Sequence, residues 1–141
     1  MEEQPQLITG GLHADARGSV SFVNDFHFAG VERFYTIRFA AADMPRGWVG
    51  HRREKKWFTV IEGTVIVSVV KPDDWQSPSR GLEVSRYMLS SQAPAVLCVP
   101  GGYATCSTAK TDGAILMVFS SGKFESAQED DFRYPIETWP A

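Results

Sequence analysis

The chain has no run of apolar residues approaching the roughly 20 that a membrane-spanning helix requires. Its first residues, Met-Glu-Glu-Gln-Pro-Gln, are acidic and polar, unlike the basic and then apolar start of a secretory signal. The expected setting is therefore the cytoplasm, with no membrane partner. Cysteine is scarce, with only Cys98 and Cys106 present. Two such residues in a chain without a signal read as reduced thiols, not as a disulfide framework. An excess of positive charge is also missing: 14 Lys and Arg stand against 17 Asp and Glu, a net charge of -3. That argues against a nucleic-acid partner held by a general basic field. Internal repeats, low-complexity tracts and apolar patterns at helical spacing are absent as well, which argues against solenoids and helix bundles.

What is present fits one β-rich domain. A chain of 141 residues is the size of a single domain, and 43 % hydrophobic content suffices for a core. Nine Phe, four Tyr and four Trp accompany twelve Gly and eight Pro. Many aromatics with many turn-formers favour strands. Alternating or continuous β-type runs occupy residues 19–24, 33–39, 57–70, 95–99 and 114–119. The long run breaks at Glu62-Gly63, and turns are marked by Pro100-Gly101-Gly102 and Thr111-Asp112-Gly113. Residues 72–79, rich in Asp, Ser and Pro, read as a surface loop. The acidic and aromatic end, residues 125–141, carries Phe132, Tyr134 and Trp139 and is expected to pack on the body. Six or more short strands in one domain imply a sandwich or barrel, whose mouth is a natural ligand site.

Polar chemistry concentrates in Pro45-Arg46-Gly47-Trp48-Val49-Gly50-His51-Arg52-Arg53-Glu54-Lys55-Lys56-Trp57, with one histidine and five basic residues. The bland reading is a solvated charged turn. Flanking Trp48 and Trp57 place it against apolar structure instead. Arg17, Arg33, Arg38 and Arg46 lie in or beside β-type runs, where several cations suit a phosphate or diphosphate ligand. His13 and His27 carry no motif and read as structural or surface residues.

Four ordered stretches resemble a known family. They are Asp15-Ala16-Arg17-Gly18-Ser19, Arg33-Phe34-Tyr35-Thr36-Ile37, Pro45-Arg46-Gly47 through His51 to Gly63, and Val99-Pro100-Gly101-Gly102-Tyr103-Ala104. Together they resemble the cupin-type, RmlC-like sugar-nucleotide proteins. These are the dTDP-4-dehydrorhamnose 3,5-epimerases and, closer in spacing, the dTDP-4-keto-6-deoxyglucose 3,4-ketoisomerases. The resemblance runs from about residue 10 to residue 120. It implies an all-β cupin or jelly-roll barrel over residues 1–141, a nucleotide-linked keto-sugar as substrate, no cofactor, and a homodimer that exchanges N-terminal strands. It also implies a place in surface-polysaccharide or deoxysugar biosynthesis.

The departures from that pattern are specific. Val49 stands where the family motif has its first histidine, and Thr105 where another usually follows the Val-Pro turn. The epimerase-type base is therefore missing, while Lys56 matches the lysine of that strand. A cupin metal set is reduced to one ligand, His51, beside cations, so no metal is expected. For catalysis the resemblance leaves His51 as base and Tyr35 as proton donor or orienting group. Arg17, Arg33, Arg46, Lys56 and Tyr103 are left as substrate-binding residues. The alternative is a non-catalytic sugar-nucleotide-binding cupin, or a partner subunit, that has lost its catalytic histidine.

Overall fold

The computed structural model describes residues 3–141. Two five-stranded antiparallel sheets face each other. One contains β1 (Gln6–Thr9), β9 (Ala95–Val99), β6 (Lys56–Glu62), β11 (Ile115–Ser120) and β4 (Arg33–Arg38), in that order. The other runs β12 (Phe132–Arg133), β5 (Pro45–His51), β10 (Tyr103–Ala109), β7 (Thr64–Val70) and β8 (Ser85–Ser90). A separate hairpin joins β2 (Gly11–Asp15) to β3 (Gly18–Phe22). Two 3₁₀ turns, Phe124–Asp130 and Ile136–Thr138, shape the C-terminal end. The fold is an all-β cupin jelly roll.

Side-chain alternation explains the layers, because successive strand residues face opposite sides. In β11, Leu116, Val118 and Ser120 are buried while Phe119 turns to the outer face. Phe58, Val60, Val65, Val67, Val69, Leu97 and Leu116 interdigitate between the sheets as the main core. The β6–β7 turn is tight at Gly63, whose φ is +77° and where a Cβ would collide with the Thr111 hydroxyl and Ala114. Only glycine meets both demands there.

Each sheet also has a covered outer face. On the first sheet Trp57, Val96 and Cys98 pack with Ile8 and Phe119 of the same sheet and are overlaid by Val23, Phe26 and Val31. On the second, Trp48, Val70, Ala104 and Cys106 are overlaid by Leu82, Val84, Tyr134 and Trp139. Trp48 and Trp139 meet edge to face at 5.2 Å, and Trp48 Nε1 donates to the Trp139 carbonyl at 3.2 Å. Trp139 Nε1 in turn donates to the Ser79 carbonyl at 2.9 Å. Both cysteines are free and buried, one in each sheet, and burial pushes the Cys106 thiol up to about 11. Among the described residues no helix is long and apolar enough to cross a membrane.

The observed strands differ from the sequence expectation in where small and polar residues form them. β5 and β10 are full seven-residue strands, although neither showed a strong β signal. Tyr103 opens β10 and is not confined to the preceding turn.

Candidate active site

A cavity of about 460 Å³ opens between the sheets. β4 and β6 line it from the first sheet, β5 and β10 from the second, and Ala127, Gln128, Asp131 and Arg133 of the C-terminal segment complete it. Inward-facing positions of β4 bring Arg33, Tyr35 and Ile37 to it; β5 brings Val49 and His51; β6 brings Lys56 and Phe58. Arg46 also lines it. Five of the seven residues singled out from the sequence therefore share one cavity: His51, Tyr35, Arg33, Arg46 and Lys56.

His51 is 8 % exposed. Its Nδ1 lies 2.6 Å from the backbone carbonyl of Asp130. A carbonyl oxygen can only accept, so Nδ1 carries the proton and the neutral ring keeps its lone pair on Nε2. Nε2 is buried and meets no protein partner. Burial, then the nearby Lys56 cation, hold the His51 pKa below its usual 6.5, against the opposing pull of Glu54 and Asp130. At neutral pH the ring is uncharged and Nε2 is free to take a proton.

Beside it stands a charged cluster. Lys56 Nζ donates to the Tyr35 hydroxyl oxygen at 3.0 Å, which leaves the hydroxyl proton available for a ligand. The Glu54 carboxylate, with its side chain 4 % exposed, lies 3.7 Å from Lys56 Nζ and 3.8 Å from the Arg33 guanidinium. It also accepts from the Ser120 hydroxyl at 2.8 Å. Arg33 Nε donates to the Gly122 carbonyl at 3.1 Å, which aims the guanidinium along the wall.

Two expected binding residues lie elsewhere. Arg17 sits at the tip of the exposed β2–β3 hairpin with its side chain 90 % exposed, ion-paired to Asp15 at 2.8 Å. Short-range pairing on the hairpin, together with distance from the two sheets, keeps it out of this chain's cavity. Tyr103 packs against the core, and its hydroxyl donates to the Glu3 carbonyl at 3.3 Å. Its hydroxyl thus meets the segment before β1, and the residue does not line the cavity. Phe22 and Phe28 remain 40 % and 65 % exposed on the outer face, and Phe26 packs there against Phe119.

Sequence reasoning missed Glu54, Ser120, Asp130, Asp131 and Arg133. Glu54 lay inside the basic run but read as part of its charge. Asp130 and Arg133 come from the C-terminal segment, 79 and more positions from His51, and no local spacing announces such a partner. Val49 and Thr105 prove to be directly paired across β5 and β10, and both line the cavity. Among the described residues no cluster of three His, Cys, Asp or Glu could hold a metal ion.

No model of a known protein family matches the chain, and no curated protein matches its sequence. Solved structures do match over nearly the whole chain. A mutant of the 3,4-ketoisomerase QdtA from Thermoanaerobacterium thermosaccharolyticum, in complex with TDP-4-keto-6-deoxyglucose, aligns with a TM-score of 0.71 at 20 % identity, covering 95 % of this chain and 90 % of that one. NovW, a 4-keto-6-deoxy sugar epimerase of Streptomyces spheroides, aligns with a TM-score of 0.74 at 20 % identity, over 95 % and 71 % of the two chains. The Mycobacterium tuberculosis RmlC epimerase gives 0.71 at 21 % identity, over 90 % and 66 %. The architecture built by these two sheets is the RmlC-like cupin fold that sugar-nucleotide 3,4-ketoisomerases and epimerases share.

Proposed function

We propose that this protein isomerises or epimerises a nucleotide-activated keto-sugar, dTDP-linked, through an enediolate. The single observation that carries the reading is the neutral His51 ring, whose Nε2 has no protein partner and whose residue lines a cavity that also holds the Lys56–Tyr35 donor pair. His51 Nε2 removes the acidic proton on the carbon beside the sugar carbonyl. The C–H electron pair moves into the ring, and the carbonyl oxygen takes up negative charge. The Tyr35 hydroxyl, with its oxygen already accepting from Lys56, donates to that oxygen. The His51 imidazolium then returns its proton to the former carbonyl carbon, Tyr35 passes its proton to the former carbonyl oxygen and regains one from the neighbouring hydroxyl, and the carbonyl has moved by one position. Delivery of a proton to the opposite face of the original carbon, by a second donor while His51 keeps the one it took, would instead invert that carbon. Every proton removed is restored and no net oxidation occurs, so the chemistry balances without a redox cofactor. Arg33, Arg46 and, from the C-terminal wall, Arg133 match the charge of a diphosphate. A homodimer and a role in surface-polysaccharide or deoxysugar synthesis belong to the same reading.

Deuterium exchange tests it. Incubated with dTDP-4-keto-6-deoxyglucose in heavy water, the protein should introduce deuterium at C3 or C5, seen by NMR. No exchange above buffer, across several nucleotide keto-sugars, overturns the proposal. Full turnover by His51→Asn would overturn the base assignment alone. The second reading, a binding module without catalysis, is favoured by Val49 and Thr105 occupying one continuous piece of the cavity wall. Calorimetric binding of dTDP without any exchange would select it.

A further inference from the structure

His51 does not hold its own orientation. Among the described residues the one hydrogen bond of its ring is made to a residue 79 positions later, and that residue is itself tied down by a set of bonds of its own. The Asp130 carboxylate accepts three consecutive backbone N–H groups of the β5–β6 connection: Arg52 at 2.7 Å, Arg53 at 2.9 Å and Glu54 at 2.8 Å. The same residue's carbonyl accepts from His51 Nδ1. Asp130 thus grips residues 51, 52, 53 and 54 in succession, once through its backbone and three times through its side chain. It is 7 % exposed. Burial alone would raise its pKa, yet the three N–H donors outweigh burial and lower it, so the grip is that of a carboxylate anion.

We propose that Asp130 is the positioning residue for His51: its carboxylate clamps the connection after β5 so that its carbonyl selects the Nδ1–H tautomer and leaves Nε2 as the base. The inference rests on the reading of His51 as proton acceptor, but its geometry stands apart from any substrate. Any residue at position 130 has a carbonyl. Only one with a carboxylate can engage three adjacent N–H donors and keep that carbonyl 2.6 Å from the ring. Just after it the segment pairs Phe132 with Gly50 and Arg133 with Val49, Phe132 packs on Trp75, and the Tyr134 amide donates to the Trp48 carbonyl at 3.1 Å. The anion also opposes the effect of burial on the ring. Other charged or titratable groups around His51 are Glu54 and Lys56 entering β6, Tyr35 and Arg33 on β4, Arg46 on β5, and Asp131 and Arg133 beyond the clamp.

The test begins on the unaltered protein. Nitrogen-15 NMR of its imidazoles, with His51→Asn to assign the signals, should show His51 protonated on Nδ1 and bare on Nε2 near pH 8. Amide exchange at residues 52–54 should be slow. A ring protonated on Nε2, or fast exchange at those three amides, overturns the proposal without any variant. Asp130→Asn then removes the anion while keeping shape. The keto-sugar exchange reaction should lose about tenfold to a hundredfold in kcat with KM changed less than about threefold, and the tautomers should mix. The acid limb of its pH profile should move to lower pH, because the lost negative charge no longer favours the imidazolium. A purely structural role would leave that limb in place, and an unchanged limb with unchanged tautomer overturns the proposal. If the unaltered protein shows no exchange on any keto-sugar, the proposed function fails, and the tautomer and amide measurements still decide the case for Asp130.

Discussion

Removing the charge of Glu54 should weaken the fold and strengthen anion binding at once. Its carboxylate sits 3.7 Å from Lys56 Nζ and 3.8 Å from Arg33, with side-chain exposures of 13 % and 28 % for the two cations. At an effective dielectric of about 20, each contact amounts to about 4.5 kcal/mol of gross attraction. Most of that is offset by the desolvation of three charged groups, because buried ion pairs rarely return more than a small surplus. The glutamine of Glu54→Gln keeps the shape and can still accept from the Ser120 hydroxyl. It leaves two cations facing each other with no anion between them. A net loss of about 2 kcal/mol follows, because an uncompensated buried charge costs more than the intact pair contributed. For a chain of this length that corresponds to a fall in Tm of about 8 °C. Differential scanning calorimetry measures the fall, and isothermal titration with dTDP measures the second effect. One negative charge fewer in a cation-lined cavity should tighten diphosphate binding by up to about tenfold. Opposite signs in the two assays are the signature. A variant that melts within about 2 °C of the parent, or binds dTDP no better, refutes the idea that Glu54 neutralises this wall.

Three further outcomes follow from other parts of the molecule. The neutral form of His51 is favoured in the folded state, so its pKa there lies below the unfolded value near 6.5. Its contribution to stability is then complete above that value and is lost as pH falls through the folded pKa. Urea midpoints should decline below about pH 6.5 in the parent and decline less steeply in His51→Asn; parallel curves would contradict the assignment. Phe28 and Phe34, 65 % and 63 % exposed on the outer face of the first sheet, are where a homodimer would bury apolar area. The parent should sediment at twice 15.7 kDa and Phe28→Ser combined with Phe34→Ser at 15.7 kDa, whereas a variant still at twice that mass would place the interface elsewhere. Trp139 is 1 % exposed and packs on Trp48 and Tyr134, so Trp139→Ala should cost about 3–5 kcal/mol by urea denaturation. A loss under about 1 kcal/mol would mean that the C-terminal end contributes little to the second sheet.

Strong β signals in the sequence located the central strands and little else. The runs over 33–39, 57–70, 95–99 and 114–119 are rich in Val, Ile, Leu and aromatics, and β4, β6, β7, β9 and β11 occupy them. β10 was illegible because its residues, Tyr-Ala-Thr-Cys-Ser-Thr-Ala, are small or polar; they are buried by neighbours on both sides in the sheet. β5 was hidden inside a charged run whose polar members face the cavity or its edge. Within the site, the resemblance named Tyr35 and Lys56 in separate roles, and their hydrogen bond at 3.0 Å was not legible. Arg17 and Tyr103 shared the motifs but not the cavity, since a motif gives order along the chain and not the direction of a side chain. Asp130 and Arg133 were beyond reach for a different reason. Their partners lie across a fold that local sequence cannot bring together.

The direct pairing of Val49 with Thr105 makes the two departures one event in space. Opposed residues in an antiparallel ladder hold their Cβ atoms about 4.5–5.5 Å apart, so each is a direct cross-strand neighbour of the other. His51 stands two residues along β5 from Val49, on the same face. A histidine introduced at position 49 alone would meet the Thr105 methyl, and one introduced at 105 alone would meet Val49. Installed together, they would put three imidazoles on one patch of wall. Redesign of the cavity's chemistry therefore has positions 49 and 105 as one unit.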